Sequence, residues 1–316
     1  TGDAIGVVTI AGEIVDGDAG PGVAGGDRIA RVLDEALESD LKGLVVRVDS
    51  PGGSVLASEE IRRAILRHKD RKIPIAVSMA NVAASGGYWV STPADRIFAE
   101  PDTITGSIGI FAVLPTFENA AAKWGVSTDG VSTTPLSGQP DLIGGLPPEA
   151  DALMQAYIED GYSDFVDRVG KARKMTPARV DEVGQGRVWD GGTARQVGLV
   201  DQYGGLDDAL AWVAGQAKLG DGDWHAEFLG DETGTSDTLL RRMLVGDEAE
   251  RARSSDLVGM FALQRNRAMS QLTADLGRLT GTKGMQAYCL ECAPIVRSTP
   301  DREAQGWIAK LIALLT

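Results

Sequence analysis

Residues 83–89 read Ala-Ala-Ser-Gly-Gly-Tyr-Trp and follow the apolar run 73–79, Ile-Pro-Ile-Ala-Val-Ser-Met. That run has the length and bounding residues of a buried strand. Small residues, a serine and two glycines after it allow a sharp turn into a helix. Such a turn predicts that Ser85 stands at the helix N-terminus with its hydroxyl exposed, as a strand-to-helix elbow presents a nucleophile. The plain alternative is a serine N-cap on an ordinary helix.

Residues 44–48, Leu-Val-Val-Arg-Val, make a second buried-type strand that runs into Asp49-Ser50-Pro51-Gly52-Gly53-Ser54. Glycine reaches dihedrals closed to other residues, so consecutive N–H groups here can aim at one point instead of pairing in a sheet. Acyl transfer needs a nucleophile and preorganised N–H donors about 3 Å from the developing oxyanion. Both parts fall at the carboxyl ends of successive parallel-type strands, where sites form in open α/β sheets. A third stretch, Thr103-Ile104-Thr105-Gly106-Ser107-Ile108-Gly109-Ile110, could line the same cleft. Glycine and serine in a strand also mark a bulge or tight packing.

In this order and at this spacing, VDSPGGSV, ASGGYW and TGSIGIF resemble the signal peptide peptidase family (SppA, protease IV). These are membrane-associated serine peptidases on the Clp protease/crotonase scaffold. The resemblance continues through Gly130-Val131-Ser132-Thr133-Thr134-Pro135-Leu136, Leu146-Pro147-Pro148-Glu149, Gly186-Arg187-Val188-Trp189, Gly198-Leu199-Val200-Asp201 and Tyr288-Cys289-Leu290-Glu291-Cys292. It covers about residues 1–293, and its details are similar to the carboxyl-terminal half of the long, two-repeat form. It implies an α/β fold with a parallel sheet and crossover helices. It also implies Ser85 as nucleophile, Gly52, Gly53 and Gly86 around the oxyanion, and Ser107 as the hydroxyl that orients the base.

A serine hydroxyl needs a neighbour to take its proton. His68 lies near the end of a helix with Ile61, Ala64 and Ile65 on its apolar face and is flanked by Arg67 and Lys69, which predicts a solvated helix terminus. His225, in Trp224-His225-Ala226-Glu227-Phe228, falls on a late strand far along the chain. The resemblance implies instead a serine–lysine dyad, in which burial lowers the ammonium pKa until neutral amine is available. Short members take the lysine from the same repeat, but residues 131–139 hold none, and Thr133 or Thr134 stands near its place. In the long form it comes from the amino-terminal repeat, which this sequence does not contain. The local candidate is Lys123, whose plain reading is a solvated last-turn lysine favoured by the helix dipole.

Thr1-Gly2-Asp3 leads into a strand over 5–10 without a basic and then apolar leader, which predicts a fragment of a longer protein. No stretch of about 18 apolar residues occurs. The resemblance implies a membrane anchor upstream and an inner-membrane location with the catalytic part facing the periplasm. It also implies peptide substrates, signal peptides among them, and a homo-oligomer. A composition of 43% hydrophobic and 24% charged residues belongs to a globular chain. The net charge of −14, without a Lys/Arg run, argues against nucleic acid and against an anionic membrane surface as partners. No cofactor or metal is expected. Cys289 and Cys292 supply two ligands, too few for a closed zinc site, and no histidine lies nearby. A structural disulfide is favoured over catalysis, two free thiols being the other option.

Strand–helix alternation through residue 110 predicts a parallel sheet with right-handed crossovers. An early amphipathic helix runs through Ile29, Val32, Leu33, Ala36 and Leu37. Pro147-Pro148-Glu149 opens a long helix through Met154, Tyr157, Ile158 and Phe165, and Thr176-Pro177 opens another. The expected organisation is a catalytic repeat over 1–219, a mainly helical extension over 220–294 and a tail over 295–316. In the tail, Trp307, Ile308, Leu311, Ile312 and Leu315 form an amphipathic stripe. Tyr157, Tyr162, Trp189 and Trp212 read mostly as packing aromatics. Tyr88, Trp89 and the loops around Ser54 and Ile108 are where a substrate pocket is expected. Three functions follow: a signal-peptide-degrading serine–lysine endopeptidase, a catalytically silent assembly subunit, and a crotonase-type acyl-CoA enzyme, against which Ser85 argues.

Overall fold

Apolar runs bounded by glycine, proline and charged turns fold into an α/β unit that the computed structural model describes at residues 2–19, 22–114, 116–131, 133–134, 136–230 and 286–288. The elements are β1 (Asp3–Ala11), β2 (Ile14–Val15), β3 (Ala24–Gly25), α1 (Gly26–Ala36), β4 (Leu41–Ser50), β5 (Gly52–Ser54) and α2 (Val55–Asp70). Next come β6 (Ile75–Ala84), α3 (Gly86–Ser91), β7 (Arg96–Ala99), β8 (Ile104–Gly106), α4 (Glu118–Lys123), α5 (Pro148–Arg173) and α6 (Pro177–Val183). They are followed by β9 (Val188–Asp190), α7 (Gly191–Gln196), β10 (Gln202–Tyr203), α8 (Leu206–Gln216), β11 (Trp224–Phe228) and β12 (Gln286–Tyr288). One compact unit holds all of them, and of the second only Gly230 is described.

The main sheet runs β10-β7-β6-β4-β1-β11, with β8 on the carboxyl-terminal half of β6 and β9 beside β8. Its pairs are parallel except β8 with β9. Alternate side chains serve two cores because helices cover both faces. Leu44, Val46 and Val48 of β4 and Ile75, Val77 and Met79 of β6 pack with α1, α2 and α3. Val45 and Ala76 face the opposite way, with Ala209, Leu210 and Val213 of α8. A second, small sheet runs β12-β5-β2-β3. The expected α/β parallel sheet with crossover helices is therefore present.

Local signals account for the helix ends. Ser54 caps α2 by accepting from Ala57 N–H, Thr176 caps α6 by accepting from Arg179 N–H, and α5 starts at Pro148. Two expectations are corrected. His68 is fully buried, because it extends the stripe Ile61, Ala64, Ile65 by one more turn. Its Nε2 lies 2.8 Å from Leu33 O, and its Nδ1 has no partner. The apolar face of α5 is buried at Ala150 and then only from Gly161 onward: Tyr157 is exposed, whereas Phe165 is wholly buried. Within 220–294 the described residues include two strands, β11 and β12. The rest of the expected helical extension over 220–294, the Cys289/Cys292 pair and the stripe in 295–316 lie outside the described residues. No helix among the described residues is long and apolar enough to cross a membrane.

Candidate active site

β6 ends at Ala84, and the chain turns into α3 through Ser85, whose backbone sits at φ 55°, ψ −112°. A positive φ at a non-glycine residue is sparsely populated and costs about 1–3 kcal/mol. Two backbone bonds hold it: Ser85 N–H donates to Gly106 O at 2.9 Å, and Trp89 N–H donates to Ser85 O at 2.8 Å. Ser85 occupies the N-cap position of α3, yet its hydroxyl caps nothing. The plain cap reading therefore does not describe it. The expected exposure is also corrected, since Ser85 is fully buried and its Oγ has no hydrogen-bond partner.

Gly52 and Gly53 lie directly beside this elbow, with φ of 97° and 151°. A Cβ on Gly52 would fall 2.1 Å from Ala287 O and 2.6 Å from Gly86 N. One on Gly53 would fall 2.0 Å from Ile14 O. Only glycine fits either place, by conformation and by space. Gly52 N–H donates to Ser50 Oγ at 3.1 Å. Gly86 N–H, at the first position of α3, has no acceptor within its own helix. A Cβ on Gly86 would lie 3.1 Å from both Ala287 O and Gly52 Cα. The carbonyl oxygen of Ala287 thus sits in the gap between Gly52 and Gly86.

The segment 103–110 is a strand only over β8, which pairs with β6 in the register Val82↔Ile104, Ala83↔Thr105, Ala84↔Gly106. Ser107 follows with φ 48°, and its N–H donates to Arg187 O at 2.7 Å. It is nearly buried at 5% exposure. Thr105 Oγ1 donates to Ala83 O at 2.7 Å and so ties β8 to the strand that carries Ser85.

The expected pocket residues Tyr88 and Trp89 are corrected to core residues, at 0% and 2% exposure. Tyr88 OH donates to Leu199 O at 2.7 Å, and Trp89 Nε1 donates to Glu59 Oε2 at 3.0 Å. Glu59 also accepts from Arg62 and Arg63, while Arg168 lies 3.5 Å from its carboxylate and 5.0 Å over the Trp89 ring. Burial alone would raise the Glu59 carboxyl, but hydrogen bonds from Arg62, Arg63 and Trp89 outweigh it and hold the pKa at about 2. This network anchors α3 one turn below Ser85. Polar partners for Trp89 leave no signal in the sequence, whereas the 61, 64, 65, 68 spacing is a signal for a buried His68 that the charged neighbours Arg67 and Lys69 masked.

No base touches Ser85 among the described residues. Lys123 is exposed at the last turn of α4, and no hydrogen bond or ion pair among the described residues joins it to Ser85. His225 is exposed on β11 at the sheet edge. Thr133 and Thr134 are exposed, and their hydroxyls meet that of Ser137. The residue that sequence reasoning missed is Ala287. Its neighbours Tyr288 and Cys289 were noted as motif letters, but nothing in a linear sequence says which distant segment meets Gly52.

The sequence profile of Peptidase family S49 matches residues 67–220. The chain is 41% identical to Protease 4 of Salmonella typhi over 93% of its own length and 48% of that protein. It is 39% identical to Protease 4 of Haemophilus influenzae, over 92% of this chain and 47% of that one. It thus spans about half the length of these curated relatives. A Synechocystis sp. relative, slr0021, whose name describes a protease, is 34% identical over 71% of this chain and 80% of its own length. With the strained serine elbow and its glycines inside or beside the matched stretch, the chain belongs to Peptidase family S49.

Proposed function

We propose that this chain is the serine-bearing part of a serine endopeptidase that hydrolyses released signal peptides and other apolar peptides. One observation carries the reading: a buried, unpartnered Ser85 hydroxyl on a left-handed elbow beside a gap between Gly52 and Gly86 that accepts a carbonyl oxygen. Ser85 Oγ attacks the peptide carbonyl carbon, the C–N bond breaks as the amine takes a proton, and water then hydrolyses the serine ester. Since Gly52 N–H is engaged by Ser50, the oxyanion donors are Gly53 and Gly86 N–H, with Gly52 making the room. Ser107 orients the base.

The base is a lysine from an upstream repeat of the same protein. Two facts support this: Ser85 has no base among the described residues, and the Protease 4 relatives are about twice as long as this chain. A homo-oligomer in the bacterial cell envelope, anchored through an upstream segment with its catalytic part facing the periplasm, follows from the resemblance. Exposed apolar side chains between β8 and α5, Phe117 at 51% and Trp124 at 82%, support an assembly contact. A catalytically silent assembly subunit is the second reading, favoured by the missing base.

The test is hydrolysis of an apolar signal-peptide-like substrate by this chain, by the chain joined to its upstream repeat, and by the latter carrying Ser85→Ala. Turnover only by the joined, Ser85-containing protein is expected. Turnover by the chain alone means a local base, and turnover by none favours the silent subunit.

A further inference from the structure

We infer that residues 286–288 are a built-in pseudosubstrate: the chain's own strand fills the peptide groove, and a substrate enters by taking its place antiparallel to β5. The inference rests on the peptide-hydrolase reading above. β12 pairs antiparallel with β5 in the register Gln286↔Ser54, Ala287↔Gly53, Tyr288↔Gly52. Adding a strand to a sheet edge is how a groove binds a peptide through its main chain. The register puts one particular carbonyl, that of Ala287, against the two glycines that border Ser85. Ala287 is wholly buried, so the subsite it fills is matched to a small side chain.

A nucleophile that serves peptides from solution has to be reached, yet Ser85 is fully buried, with its neighbour Gly86 in contact with β12. The strand is three residues long, and it adds no more than one short edge to the small sheet. So short a pairing opens at low cost compared with the central strands. While it is closed, the apparent affinity for a peptide is reduced by the fraction of chains whose groove is free.

The probe is a fluorescent peptide with the sequence of residues 283–288, Lys-Gly-Met-Gln-Ala-Tyr, followed by anisotropy with the full chain. Ala287→Trp cannot be housed at a wholly buried position and frees the groove. The Ala287→Trp chain is expected to bind the peptide about tenfold or more tightly than the unmodified chain. Its amides at 52–54 are expected to exchange faster when no peptide is present. Equal affinity, or no binding to either chain, overturns the inference. If the variant does not fold, the unmodified chain decides. Saturating peptide is expected to speed amide exchange at 286–288 while 52–54 stay protected, and unchanged exchange at 286–288 overturns the inference. Neither readout involves hydrolysis. A chain that behaves this way but never cleaves peptide with its upstream repeat refutes the peptidase reading and leaves the occlusion standing.

Discussion

Ser85 and Ser107 leave the sheet side by side: they follow the register partners Ala84 and Gly106, and both take positive φ, 55° and 48°. Ser85 N–H donates back to Gly106 O, so one turn braces the other. Two parallel strands that each run into a residue of positive φ bring two hydroxyl-bearing residues to one corner of the sheet. That convergence is a property of the register, since a slip of one residue would send the side chains to opposite faces.

Replacing Ser85 separates stability from activity. Ser85→Ala removes a buried, unpartnered hydroxyl and is expected to leave thermal stability unchanged or higher. Ser85→Gly relieves the backbone strain and should stabilise by about 1 kcal/mol. Both should lower peptide hydrolysis by the protein with its upstream repeat about 10³-fold or more. Calorimetry beside a peptidase assay checks this, and a Ser85→Ala chain that is clearly less stable would contradict it.

Ser107 and Lys123 should part company in kinetics. Ser107→Ala is expected to lower kcat about 10-fold or more and to move the limb of the pH profile on which activity rises with pH, because a base that is less well oriented no longer keeps the same proton affinity. Lys123→Ala should leave both kcat and the profile unchanged, since Lys123 is exposed on α4. A shifted profile with Lys123→Ala would make the base local.

Glu59 ties acid stability to the helix that carries Ser85. Its folded pKa of about 2 lies below its ordinary value of 4.5. Its ionised form therefore adds stability that is fully present above about pH 4.5 and is lost as pH falls toward 2. Glu59→Gln should cost about 2 kcal/mol at neutral pH and flatten that acid limb. Urea midpoints between pH 2 and 7 measure both effects.

His68 acts in a higher window. Burial lowers its pKa from 6.5, against the opposing pull of the Leu33 carbonyl, so the folded chain holds it neutral. Between the folded value and 6.5 the unfolded chain binds the extra proton, and stability falls as pH drops below 6.5. The titration of its ring carbons by NMR should show a midpoint below 6.5. A midpoint above that value would contradict the burial argument.

Much of the sheet was legible because apolar periodicity and turn residues are local signals. The run at 44–48 became β4, which spans Leu41–Ser50, and the run at 73–79 became β6, which starts at Ile75 and runs on to Ala84 beside the site. Extension came from pairing: Asp49 accepts from Val82 N–H at 3.1 Å, a cross-strand bond that carries β6 on toward Ala84. The exposed hydroxyl expected at Ser85 failed for a different reason. Exposure depends on what else packs there, and Ala287 comes from about 200 residues downstream.

By itself the sequence determined that this chain has parallel strands, crossover helices, a serine after a strand and glycines where only glycine fits. Those follow from hydrophobic period and from backbone sterics, which act between neighbours in the chain. Only the tertiary structure decided that Ser85 and Ser107 share a corner, that Tyr88 and Trp89 belong to the core, and that β12 lies on β5. Register and burial are set by contacts between segments far apart in sequence, and no local pattern encodes which distant backbone will meet a given glycine.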